Sequence, residues 1–168
     1  MSIVITILRL IHIFSAVVWV GGALFFLSVI APTVRDAGAD GGKFMLWVAR
    51  QGRFGRTFAI TSGLTFLSGL ILYPLLNYHS NLGNIKVITL TIGAVFGLLG
   101  FLHGIFISGK MARQLTAMAR DITAMQGPPN PEKLKAMQAL GAKQGEAAIH
   151  ATILISLALL FMAASQTV

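Results

Sequence analysis

The sequence predicts an all-α fold, a four-helix transmembrane bundle, and three observations carry that reading. Mean hydropathy is +0.79, and only 11% of the 168 residues are charged, about half the share usual in a soluble domain. Four apolar runs each approach the roughly 20 residues that a helix needs to cross hydrocarbon. All but two of the 13 Lys and Arg residues crowd into two of the segments between those runs.

The first span is expected from Ile3 to about Ala31, ended by Pro32. It is longer than the apolar region of a secretory signal, and Met1-Ser2 adds no basic side chain, so it reads as a retained span. The second runs from about Thr57 to Leu76, with Tyr73 and Tyr78 as interfacial aromatics where it meets water. The third covers about Val87 to Gly109 and the fourth about Ala147 to Ala164. Helix is the only secondary structure that leaves no backbone group unpaired in lipid, short of a closed barrel. The whole chain, 1–168, reads as a single transmembrane domain.

Orientation follows from the loops. The loop at 32–56 holds Arg35, Lys43, Arg50, Arg53 and Arg56, and the loop at 110–146 holds Lys110, Arg113, Arg120, Lys133, Lys135 and Lys143. The connection between spans two and three has only Lys86, and the C-terminal tail has no basic residue. The positive-inside rule places both basic loops in the cytoplasm and both termini outside. The same placement explains the net charge of +8 through lipid headgroups and topology, and no nucleic-acid partner is implied.

The loops themselves carry helical patterns. Phe44, Met45, Trp47 and Val48 suit a short amphipathic helix at the interface. Span three is expected to continue as an amphipathic helix through Met125 and to break at Gly127-Pro128-Pro129. Asn130-Pro131-Glu132 then reads as an N-cap with proline at the first helical position, opening a helix that runs on into span four. Gly93, Gly97, Gly100 and Gly104 recur at helical spacing along span three, and span two has Ser62-Gly63 and Ser68-Gly69. Such small-residue faces let a neighbouring helix approach closely.

The chemistry is narrowed mainly by exclusion. There are no cysteines, which rules out disulfides, thiolate metal sites, iron–sulfur clusters and covalently attached haem. No phosphate-binding loop, zinc-protease motif or nucleophile motif is present. What remains is a set of polar residues in or beside the spans: Arg9, His12, His79, Lys86, His103, Glu146 and His150. Ionisable groups are costly in hydrocarbon, so each is a functional candidate. Histidines without cysteines point to b-type haem ligation or to copper held by imidazoles.

Depth selects among the histidines. At 1.5 Å per residue, His103 lies about 9 Å in from the inner end of span three, and His150 about 6 Å in from the same side past Glu146. They are nearly level on consecutive antiparallel spans, so a haem ligated from both faces by His103 and His150 is expected, with Glu146 one turn away to orient His150. His12 lies about 13 Å below the outer surface, and Arg9 sits one turn above it, where it suits a haem propionate. His12 and His79 face the same compartment and form the copper alternative. Against each stands a plainer role: Arg9 snorkelling to headgroups, Lys86 anchoring the interface, His79 an ordinary loop residue, and His103 and His150 hydrogen-bonding between helices.

The stretch Arg9-Leu10-Ile11-His12-Ile13-Phe14-Ser15-Ala16-Val17-Val18-Trp19-Val20-Gly21-Gly22 resembles the first span of the CopD-like superfamily, which includes the HemJ-type protoporphyrinogen oxidases and uncharacterised four-span bacterial proteins. The shared feature is a histidine followed seven residues later by tryptophan and then small residues. Lys86, His103 and Lys110 are similar to HemJ-type features. The resemblance covers spans one to three, about half the chain. It implies a bundle in a bacterial cytoplasmic membrane whose intramembrane histidines serve haem, porphyrin or copper, and it carries over to Arg9, His12, Lys86 and His103. The sequence departs from HemJ at Gly83-Asn84-Ile85-Lys86, which lacks an aromatic setting, and at His150, which has no counterpart there. The Gly-Pro-Pro-Asn-Pro segment fits the uncharacterised branch better, and methionine-rich copper motifs are missing.

The leading expectation is therefore a haem b protein of electron transfer or porphyrin redox chemistry, with His103, His150, His12 and Arg9 as the cofactor-binding set. A non-catalytic subunit of a respiratory or photosynthetic complex, or a homo-oligomer, is the second. CopD-like copper transport is the third. The sequence leaves open whether the protein is an enzyme.

Overall fold

A computed structural model of the chain describes residues 2–125 and 130–167. It is all-α. Helix α1 spans Ile3–Asp36, α2 Gly38–Gln51, α3 Arg53–Leu75, α4 Ile85–Ala124 and α5 Pro131–Ala164. Four of these, all but α2, are long and apolar enough to cross a membrane. Between α3 and α4 lies a single 3-10 turn, Tyr78–Ser80.

Helix α1 corrects one expectation. Pro32 does not end it; the helix continues to Asp36. A proline ring normally collides with the carbonyl one turn back and removes a hydrogen bond. Here the preceding turn, Phe26–Ile30, is widened to a π-helix, and the Ala31 N–H reaches the Phe26 carbonyl. The wider turn accommodates the ring, while the hydroxyl of Thr33 donates to the Val29 carbonyl at 2.7 Å. The segment 32–56, expected to be a loop that is helical in part, is accordingly nearly all helix.

Other expectations hold. Asn130 caps α5, its side chain accepting from the Glu132 N–H at 2.8 Å, and Pro131 takes the first helical position. Helix α4 continues past its apolar portion to Ala124. The break at Gly127-Pro128-Pro129 lies outside the described residues. Phe44 and Trp47 sit exposed on α2 with ring centroids 6.5 Å apart. Tyr73 and Tyr78 meet edge to face at 5.9 Å.

The bundle is two antiparallel pairs, α1 with α3 and α4 with α5. They join at Trp19, Val20 and Ile155, with Phe58 and Phe101 packed around them. Phe66 stacks on Phe101 at 4.3 Å, and Tyr73 shares a 2.7 Å hydrogen bond with Thr91, so α3 also ties to α4. Leu10, Phe14, Leu70, Phe106 and Leu160 stay exposed on the outside. In water such a surface would drive aggregation; in lipid it is solvated. The hydroxyls of Thr61, Thr89 and Thr152 donate to carbonyls one turn back in their own helices and so meet no unpaired cost, whereas the buried Ser156 hydroxyl in α5 has no hydrogen-bond partner among the described residues.

Candidate functional site

His12 is the best-anchored of the four histidines. It lies on the stripe His12, Ser15, Trp19 that α1 turns toward α3, where Ser15 and Trp19 are buried. Across the interface Gly69 has no side chain, and a Cβ there would stand 2.8 Å from the His12 Cε1 atom. The imidazole therefore rests on bare backbone. Its Nδ1 is 2.8 Å from the Thr65 carbonyl and 3.3 Å from Ser68 Oγ.

Chemistry fixes the tautomer. A carbonyl only accepts, so Nδ1 carries the proton and donates it to Thr65. The Ser68 hydroxyl spends its own hydrogen on the carbonyls of Leu64 and Thr65, at which point its oxygen also accepts from Nδ1. In the neutral ring, Nε2 then holds the free lone pair. An imidazole whose far N–H is bound to a backbone carbonyl is the arrangement that orients histidine as a metal ligand. Arg9, half-buried, lies one turn outward on the same helix.

His103 and His150 form a second group near the other end of the bundle. Gly100 faces Ile155, Gly97 faces Ala158, and Gly93 faces Ala158 and Met162. Continuing that antiparallel register puts His103 opposite Thr152, about 3 Å along the axis from the level of His150. The turn after His103, Gly104–Ser108, is again a π-helix. Because it winds wider, the fifth residue on comes back over His103, and Ser108 Oγ stands 3.4 Å from its Nδ1. Gly109 serves that geometry, since a Cβ there would lie 2.8 Å from the Gly104 carbonyl oxygen.

The fit to a porphyrin differs between the two groups. His12 offers one ring nitrogen with a fixed lone pair. A porphyrin ligated from opposite faces by His103 and His150 would have to lie between α4 and α5, and the glycines bring those helices into direct contact within a turn of His103. His103 meets Ser108 within its own helix, and the close approach at Gly100 leaves little room beside it for the expected sandwich. Among the described residues, no three His, Cys, Asp or Glu side chains group as metal ligands.

The remaining candidates are peripheral. Glu146 and His150 are exposed, as are Lys86 and His79. Asn84 caps α4 by accepting from the Lys86 N–H at 2.9 Å, which fixes Lys86 in the first turn at the water boundary. His12 lies level with Thr65 and Ser68, whereas His79 lies beyond the end of α3 at Leu75, at least about 10 Å further along the axis. The outer copper pair is thus not brought together. Sequence reasoning missed Thr65 and Ser108 as partners. Ser68-Gly69 was marked by its small residues, but nothing in the α-helical period connects Ser108 to His103.

No family model matches this chain, and neither the curated proteins nor the solved structures yield a match.

Proposed function

We propose that this is a membrane-embedded b-type haem protein of electron transfer or porphyrin redox chemistry, in a bacterial cytoplasmic membrane with its basic segments inside. The supporting observation is the His12 hydrogen bond to the Thr65 carbonyl, which leaves Nε2 as a ligand nitrogen inside an apolar bundle. Haem, when bound, supplies one-electron chemistry at iron. The chain's own contribution is to hold the His12 ring in one tautomer, to exclude water through the apolar surroundings, and to offer Arg9 to a propionate. The resemblance of the first span to CopD-like proteins points the same way.

The test is the visible spectrum of the detergent-purified protein, as isolated and after dithionite. A Soret band that sharpens on reduction is expected, and His12→Ala should lose most of it while His103→Ala retains it. A band lost instead with His103→Ala would move the ligand to the other group. The second reading, a non-catalytic subunit of a larger membrane complex, is favoured by the same bond seen differently: His12 is satisfied within the protein, as a packing residue is. A colourless protein that co-migrates with larger partners in mild detergent would decide for it.

A further inference from the structure

At the corner between α2 and α3 the chain gathers arginines that, among the described residues, form no ion pair. Gly52 makes the corner possible, since it sits at φ +64°, a left-handed conformation that side chains resist. Helix α4 runs past this corner, and a Cβ on Gly52 would lie 3.6 Å from Thr116 Cγ2 and 3.9 Å from an Arg120 guanidinium nitrogen. Arg120 Nε donates to the Arg50 carbonyl at 3.3 Å. Arg113, Thr116 and Arg120 recur at spacings of three and four, so they form one stripe on α4. Arg53 and Arg56 form the matching stripe at the start of α3, and the antiparallel register sets Arg56 level with Arg113.

The charge is not compensated. Among the described residues the ion pairs are Arg35 with Asp36 and Lys43 with Asp40, and neither involves this cluster. Arg50, Arg53, Arg56, Arg113 and Arg120 are all exposed. The first turn of α3 has no acidic residue and no side-chain cap, so its N–H groups add to the positive field. Guanidinium groups gathered at one corner repel one another, and an anion among them relieves that repulsion.

The position decides which anion. The cluster stands where α3 and α4 pass from charged to apolar sequence. On the same first turns of α3, Phe54 and Phe58 join Phe26 of α1 in an aromatic ladder with centroids 5.0 and 4.6 Å apart, and Phe54 is 42% exposed. A free phosphate would use the arginines alone. A phospholipid uses both, its phosphate among the guanidinium groups and its acyl chain along the phenylalanines. We infer that the corner formed by Arg50, Arg53, Arg56, Arg113 and Arg120 is a binding site for an anionic phospholipid of the inner leaflet.

The full chain, purified in dodecyl maltoside, tests this by thermal unfolding followed through tryptophan fluorescence. Phosphatidylglycerol should raise the midpoint saturably, while phosphatidylcholine of the same chain length and inorganic phosphate should not. Arg53→Gln combined with Arg120→Gln should weaken the phosphatidylglycerol response by about fivefold for each arginine removed. Should that variant not fold, Arg56→Gln with Arg113→Gln makes the same measurement without touching the Arg50 contact. Lys133→Gln with Lys135→Gln, basic residues at the start of α5, should change nothing. An equal response to phosphatidylcholine, an equal response to inorganic phosphate, or equal losses in the arginine and lysine variants would each overturn the site.

Discussion

The two helix pairs are held together by different means. Helices α4 and α5 meet through glycines: the Cα atoms of Gly93 and Gly100 lie so close to α5 that a Cβ would stand 2.9 Å from Met162 Cγ and 2.6 Å from Ile155 Cγ2. Helices α1 and α3 meet through a histidine, with His12 bonded to Thr65 and Ser68 over the bare Gly69. In lipid there is no hydrophobic force between helices, so association rests on close packing or on interhelical hydrogen bonds. The glycine pair is a matter of shape and leaves no gap. The histidine pair places a directional, titratable ring in the interface, and that ring is what a cofactor can use.

Steric changes should separate the pairs most sharply. Gly93→Leu is expected to cost about 1–3 kcal/mol or more, because its side chain would meet the Ala158 carbonyl, which cannot move as a side-chain end can. Gly97→Ala is the control on the same helix: its methyl would lie 3.7 Å from Ala158 Cβ, ordinary contact, and stability should be unchanged. Unfolding by added dodecyl sulfate, followed by circular dichroism, measures both. Equal losses would mean that the face is not packed as described.

His12→Ala should cost about 0.6–1.7 kcal/mol in the same assay, the range for interhelical hydrogen bonds in membranes. A loss well above that range in haem-free protein would mark His12 as chiefly a packing residue. Tyr73→Phe removes only the 2.7 Å bond to Thr91 that ties α3 to α4, and is expected to cost about 0.6 kcal/mol. If Tyr73→Phe proved costlier than His12→Ala, the α3–α4 contact would outrank the α1–α3 pair.

The candidate site was partly legible in advance. His12 was named from its depth and its neighbours Arg9 and Trp19, and the levels of His103 and His150 followed from residue counts along antiparallel spans. Their partners were not legible. Thr65 contributes a backbone carbonyl, which no side-chain pattern marks. Ser108 reaches His103 only because the intervening turn is wider than an α-helix. Matched depth likewise says nothing about the gap between α4 and α5 that the expected haem would occupy, and that gap is set by Gly93, Gly97 and Gly100.

The sequence by itself determined the number of spanning helices, the amphipathic extension of α4, the Asn130 cap and the sorting of basic residues to one end of the bundle. These are properties of position along a helix axis, which hydropathy and charge fix directly. Only the tertiary structure decided that α1 runs through Pro32, that His12 turns onto Gly69, and that Arg120 reaches across to Arg50. Rotation about the axis and the choice of neighbour depend on how side chains pack between helices, and a one-dimensional pattern of apolar and charged residues leaves those free.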